Sequence, residues 1–193
     1  MIRISDVAEV LPGLTLQSRA LHESEGTHQV ILAKHLKEGQ PYQYDQEDLL
    51  RLVPKRSPDK YLVNKGDVLF ISRGVRNHAV VVESVPENTV ASATLYILRV
   101  KDEIIPSYLA WCINQSSIQA EVTQVRTGAG TPIVQRKVFQ EISIPLPSLE
   151  KQKQIAEFND LMGKERKLRE KLFNRYELHN QIVSQKIMEK INE

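Results

Sequence analysis

The chain has 193 residues, 41% of them hydrophobic and 26% charged, with 26 Lys/Arg against 24 Asp/Glu and a formal net charge of +2. Those proportions exclude wholesale disorder, and the length suits one domain, or one domain with an appendage. The single cysteine, Cys112, excludes an internal disulfide and points to a reduced, cytoplasmic compartment.

The opening MIRISDVAEV has no long apolar run after a basic start, so it does not read as a secretory signal. No stretch approaches the roughly 18 apolar residues of a membrane span, so no membrane partner is expected. Several short strands are predicted next: 29–33, 67–71 after the turn Asn64-Lys65-Gly66, 79–83 and 96–100, all apolar or β-branched runs bounded by polar residues. Residues 106–118, carrying Tyr108, Leu109, Trp111, Cys112 and Ile113, read as a helix with Pro106 near its first turn. A second helix over 118–125 either follows or continues it. A last short strand over 141–144 ends at Pro145.

Residue 150 divides the chain. Residues 1–150 hold 16 Lys/Arg against 17 Asp/Glu, all nine prolines and seven of the eight glycines. After it lie 10 Lys/Arg against 7 Asp/Glu, with Gly163 the one breaker, which is the composition of a long helix. Within that tail Ile155, Phe158 and Met162 recur at helical spacing. Leu161, Leu168, Leu172, Tyr176, Val183, Ile187 and Ile191 continue the stripe, with Glu165 and His179 in the skipped turns. Such a stripe must be covered by its own domain, a partner helix or a second copy. Glu165 and His179 then either set its register or sit on its margin. The expected class is α+β: a β-rich domain with embedded helices over residues 1–147, then a helical spacer and dimerisation region over 148–193.

No enzymatic constellation emerges. His22, His28, His35, His78 and His179 lack the spacing of zinc ligands, so no metal is expected. There is no G-x-x-x-x-G-K loop, and Gly128-Ala129-Gly130 lacks the third glycine of a dinucleotide site, so no cofactor is expected either. Ser72 and Ser92 lack a nucleophile elbow. The carboxylate-and-lysine cluster of a nuclease and the substrate-amine clamp of a methyltransferase are also missing.

Two loops carry binding chemistry instead. Residues 72–78 place Arg73, Arg76, Asn77 and His78 around Gly74; guanidinium and amide groups suit guanine and adenine edges respectively. Residues 126–137 combine Arg126, Thr127, Thr131, Gln135, Arg136 and Lys137 with two glycines, a set suited to phosphate contact. A solvated turn is the plain alternative for each loop.

The run TGAGTPIVQRKVFQEISIPLPSLEKQKQIAEF at 127–158 resembles the end of a target-recognition domain entering the spacer helix of type I restriction-modification specificity subunits. Pro145, Leu146 and Pro147, then Glu150, Gln152 or Gln154, and Ile155 carry the likeness. GDVLFISRG at 66–74, YLAWCINQSSIQ at 108–119 and the opening RISDVAEVLPG at 3–13 are similar to further family segments. The resemblance implies a non-catalytic subunit that binds double-stranded DNA and directs a methyltransferase subunit, with a motor-nuclease subunit as a further candidate partner. Family members carry two recognition domains and two spacer helices; this chain carries one of each, which implies a homodimer through antiparallel tails and an inverted-repeat target. Two other readings stay open: a helical scaffold that reads no DNA, and a diverged recognition domain split from a single-chain methyltransferase or nuclease.

Overall fold

The protein is represented by a computed structural model that describes residues 1–16, 22–44, 50–55 and 57–191. It divides into two compact units, Met1–Ala156 and Glu157–Glu193. Mixed α+β architecture is confirmed, with a long helix at the C-terminal end.

The first unit opens with β1 (Ile2–Arg3), the single turn α1 (Ile4–Val7) and β2 (Ala8–Pro12). After them come β3 (His28–Ile31), β4 (Tyr42–Gln43), β5 (Leu50–Leu52), β6 (Val68–Ile71), β7 (Ala79–Ser84), β8 (Thr89–Ala91) and β9 (Leu95–Val100). The main sheet has the order β2-β9-β6-β7-β4, antiparallel except for the final β7–β4 pair. A smaller sheet has the order β5-β3-β8.

Strand β6 lies in the centre of the main sheet, and all four of its residues are buried. That burial explains why VLFI is an unbroken apolar run instead of an alternating one. Its period-two geometry still sorts the side chains by face. Val68 and Phe70 join Tyr96 and Leu98 of β9 in one core, while Leu69 and Ile71 join Leu95 and Ile97 in a second. The first core is covered by α2 (Pro106–Ile113) through Tyr108, Leu109, Cys112 and Ile113. Phe139 stacks on Phe70 there with ring centroids 4.1 Å apart.

Of the two expectations for 106–125, separate helices or one continuous helix, the first holds: α2 is followed by α3 (Ser116–Gln124), with the break at Asn114 and Gln115 instead of at residue 118. Asn114 explains the break. Its Nδ2 donates to Ala79 O and its Oδ1 accepts from Ala79 N, both at 2.8 Å, which fastens the end of α2 to the start of β7. Gln115 then takes an extended conformation before the chain turns helical again.

After α3 come the hairpin β10 (Arg126–Thr127) and β11 (Ile133–Val134), the single turn α4 (Arg136–Phe139) and β12 (Ser143–Ile144). β12 pairs with β1, so the two ends of the unit meet.

The long helix α5 (Leu149–Ile191) begins inside this first unit. Pro145 and Pro147 cannot extend the ladder of β12, and Ser148 stands at the helix start. The Ser148 hydroxyl is 3.5 Å from Lys151 N, too long for a strong cap. Gln152 anchors the helix instead. It is fully buried; its Oε1 accepts from Ile105 N at 2.9 Å, and its Nε2 donates to Glu103 O and Pro147 O at 3.0 Å each.

Ile155 departs from the expected tail stripe. It packs, half-buried, against the core beneath α2, because the first two turns of α5 belong to the globular unit. In the second unit, Phe158, Met162, Leu168, Leu172, Tyr176, Val183 and Ile187 are all exposed on the helix. Among the described residues no helix is long and apolar enough to cross a membrane.

Candidate nucleic-acid interface

Residues 79–125 separate the two cationic loops in sequence, and the fold brings them together. Strand β6 runs into Ser72-Arg73-Gly74, where Gly74 has φ +97°, a region side chains other than hydrogen rarely adopt. Gly128, with φ +100°, makes the corresponding turn at the tip of the β10–β11 hairpin. Gly74 N donates to Pro132 O at 2.8 Å and Val134 N donates to Ser72 O at 2.9 Å. Arg73 bridges Ile133 across the same seam, and Arg126 Nη2 donates to Val75 O at 3.1 Å. The two segments therefore form one continuous backbone platform.

Beside this platform lies a half-open cleft of about 260 Å³, lined by Thr15, Ser72, Arg73, Tyr96, Ile133 and Arg136 among others. Arg136 Nη1 donates to Val10 O at 3.1 Å, which holds that guanidinium against the end of β2. Tyr96 donates its hydroxyl to Val134 O at 2.7 Å. Burial pushes the Tyr96 phenol above its ordinary range, while Ser72 and the charges of Arg136 and Arg73 pull it back. Tyr96 thus stays a neutral donor, and both guanidiniums act electrostatically on the same small volume.

The predicted binding residues divide into two groups. Arg73, Arg76, Thr127, Thr131, Gln135, Arg136 and Lys137 are exposed, and Arg126 is half-buried. Thr127 donates to Ile133 O at 3.3 Å, and Gln135 Nε2 lies 3.5 Å from the Thr127 hydroxyl, so both brace the hairpin at its outer side.

Asn77 and His78 do not present their side chains. Asn77 is 2% exposed and its Nδ2 donates to Ile71 O at 2.8 Å. His78 is 8% exposed, with Nε2 3.2 Å from Leu36 O, and burial lowers its pKa from 6.5. The reason is geometric: Ile71 N donates to His78 O at 3.0 Å and Asn77 donates back to Ile71 O, which closes the loop with both side chains on its inner side. These two residues hold the Arg73–Arg76 loop and cannot reach a base from where they stand.

Sequence reasoning missed three contributors. Tyr96 sits in an apolar strand, and its lone hydroxyl among YILRV was the available signal. Thr15 reaches the cleft only because β2 borders β9, which nothing local announces. Val75 is 69% exposed between the two loop arginines, an apolar group in a place where solvation alone would favour a polar one. Among the described residues no cluster of His, Cys, Asp and Glu is arranged to hold a metal.

A comparison with known families decides the membership. The type I restriction modification DNA specificity domain matches residues 1–175. The chain belongs to that family.

Similar proteins agree with this assignment. The type I restriction enzyme MjaVIII specificity subunit of Methanocaldococcus jannaschii is 26% identical over 170 residues, which is 84% of this chain and 36% of that protein. The S subunit of the type I restriction-modification system from M. genitalium superposes with a TM-score of 0.55 at 16% identity, over 81% of this chain and 37% of that one. The HsdS subunit of Thermoanaerobacter tengcongensis gives 0.57 at 19% identity, over 85% and 37%. A chain from a type I restriction-modification assembly gives 0.61 at 17% identity, over 85% and 38%. At these identities the structures show a shared fold. The chain spans little more than a third of each relative.

Proposed function

We propose that this chain is a non-catalytic specificity subunit that binds double-stranded DNA in a sequence-dependent manner. It directs a partner methyltransferase subunit, and a motor-nuclease subunit in systems that also restrict, to the bound site. The observation that carries the reading is the joining of residues 72–76 and 126–137 into one platform with Arg73 and Arg136 on a shared cleft.

The chemistry suits DNA in two ways. Arg73 and Arg76 extend from a glycine turn and can fork onto guanine, while Val75 between them offers an apolar contact to a thymine methyl group. Arg136 and Lys137, with the Thr131 hydroxyl and the backbone of the Gly128–Gly130 tip, suit phosphate oxygens, which set position without reading sequence. The first unit as a whole is close to neutral, so attraction has to come from this local cluster.

One recognition domain reads one half-site. Two copies joined through the exposed stripe of α5 would read an inverted repeat as a homodimer. The setting is the cytoplasm, where chromosomal DNA and the methyltransferase meet.

Selection of duplexes from a randomised pool by the full chain tests the proposal. Enrichment of two inverted half-sites is expected, with log affinity falling against log salt at about 0.9 per phosphate neutralised. No enrichment together with flat salt dependence would sink it and favour the scaffold reading.

A further inference from the structure

The tail seam has a symmetry that its apolar content alone does not require. Leu161, Glu165, Leu168, Leu172, Tyr176, His179 and Val183 follow one another at steps of four, three, four, four, three and four residues. Between residues 161 and 183 that series is the same read in either direction, with Leu172 at its centre; the next stripe residue, Ile187, has Glu157 at its mirror position, so the symmetry belongs to the middle of the helix. The chemistry is mirrored as well: Leu161 and Val183 stand eleven residues either side of Leu172, Leu168 and Tyr176 stand four either side, and acidic Glu165 and cationisable His179 stand seven either side.

We infer that two copies of this chain pair through antiparallel α5 helices with the two-fold axis at Leu172, so that Glu165 of each copy meets His179 of the other. This rests on the homodimer reading above and adds its register and its polar contact.

The physical argument is self-complementarity. An isologous contact requires that whatever lies a given distance before the axis fit whatever lies the same distance after it. Placing Leu172 on the axis sets Leu172 against itself, each leucine at 168 against a tyrosine at 176, and each leucine at 161 against a valine at 183. It also sets the two polar interruptions against each other, acid to base. A shift of either helix by one turn would put Glu165 or His179 against an apolar side chain and leave it unpaired, so the polar pair selects register.

Among the described residues none covers this face. Leu161, Leu168, Leu172 and Tyr176 are all more than 60% exposed. Glu165 is engaged by Arg169 of its own helix through Oε1 alone, and a carboxylate accepts through both oxygens. The steps average about 3.67 residues per turn, the eleven-residue rhythm, so the seam stays in line on a nearly straight or slightly right-handed pair instead of a left-handed one.

Cysteine cross-linking in the full chain tests the register, with the native Cys112 buried in the first unit and the unaltered chain as control. Leu172→Cys is expected to form a disulfide-linked dimer on mild oxidation. Leu161→Cys and Val183→Cys are each expected to stay unlinked alone, because two copies of either position lie roughly 33 Å apart along the pair. An equal mixture of those two variants should cross-link. Self-linking of Leu161→Cys, or failure of both Leu172→Cys and the mixture to link, would overturn the proposal.

A charge exchange tests the polar contact. Glu165→Lys and His179→Glu should each weaken self-association by at least about tenfold: the first takes away the carboxylate that faces the imidazole, and the second sets two carboxylates against each other. Mixing the two variants should restore a heterodimer, since one contact then pairs an ammonium with a carboxylate and the other is the original Glu165–His179 pair. Absence of restoration counts against the pair. Duplex binding measured on the same samples separates the two readings: linked Leu172→Cys dimers that enrich no DNA sequence leave the register standing and remove the DNA-reading function.

Discussion

The two units of this molecule treat the same residue types in opposite ways. In Met1–Ala156, valine, leucine, isoleucine and phenylalanine are paired across strands, and Phe70, Leu98, Leu109 and Phe139 are wholly buried. In the second unit, Leu168 is 67% exposed and Leu172 70% exposed on a single helix. A sheet can cover its own apolar faces with helices and a second sheet; one helix has only one stripe and nothing in its own unit to lay it on. The first unit is thus stable through its own contacts. The tail leaves its apolar stripe exposed, and under the proposed function association would cover it.

That contrast can be broken at several points. The largest effect belongs to the interior of the first unit. Phe139→Ala removes the ring stacked on Phe70 and is expected to cost about 3–5 kcal/mol, read as a lower urea midpoint. Charged replacements at Leu172 and Val183 should leave that midpoint nearly unchanged while sedimentation shifts from dimer to monomer. A large loss of first-unit stability in those tail variants would mean that the two units are energetically one.

Gln152 sharpens the comparison, because it is where the helix belongs to the globular unit. Gln152→Leu leaves Ile105 N, Glu103 O and Pro147 O without their buried partner, at about 1–3 kcal/mol in urea unfolding. Gln154→Ala, two residues along and exposed, should change little by comparison.

On the cleft, Arg73→Ala is expected to relax base preference by about 1–3 kcal/mol at one position of the site. Arg136→Ala should weaken binding to every duplex and reduce the salt slope by about 0.9. Identical behaviour of the two variants in a salt titration on matched and random duplexes would erase the division between reading and positioning.

The smallest effect concerns pH. His78 has its folded-state pKa lowered by burial, so below 6.5 the unfolded chain takes up a proton that the folded chain resists. Stability is therefore expected to be full above that value and to decline as pH falls through and below it. His78→Gln should flatten that part of the profile in denaturation at successive pH values.

Much of the fold was legible because it rests on local periodicity. The strands around VLFI, AVVVE and YILRV, the Pro-Leu-Pro exit and the breaker-poor tail each follow from runs of a few residues. The position of the break between α2 and α3 was not legible, since Asn114 acts by binding the backbone of Ala79, 35 residues away. The short strands β1, β4, β5 and β8 carry too few residues to show a period, and exist because a partner strand supplies their hydrogen bonds.

The candidate site shows the same division. Residue type marked both cationic loops, and it equally marked Asn77 and His78, which the closing bond from Ile71 N to His78 O turns inward. Helical spacing placed Ile155 with the tail stripe, yet the start of α5 lies against the first core and takes it in.

By itself the sequence determined the division into a turn-rich β unit and a helical tail, the apolar seam with its two polar interruptions, and the family likeness. Those are properties of neighbours along the chain, which covalent geometry keeps in step. Only the tertiary structure decided that residues 72–76 and 126–137 make one platform, that Tyr96 and Thr15 border its cleft, and that Gln152 binds the helix to the domain. Those depend on backbone groups distant in sequence satisfying one another once buried, and no local pattern records which will meet.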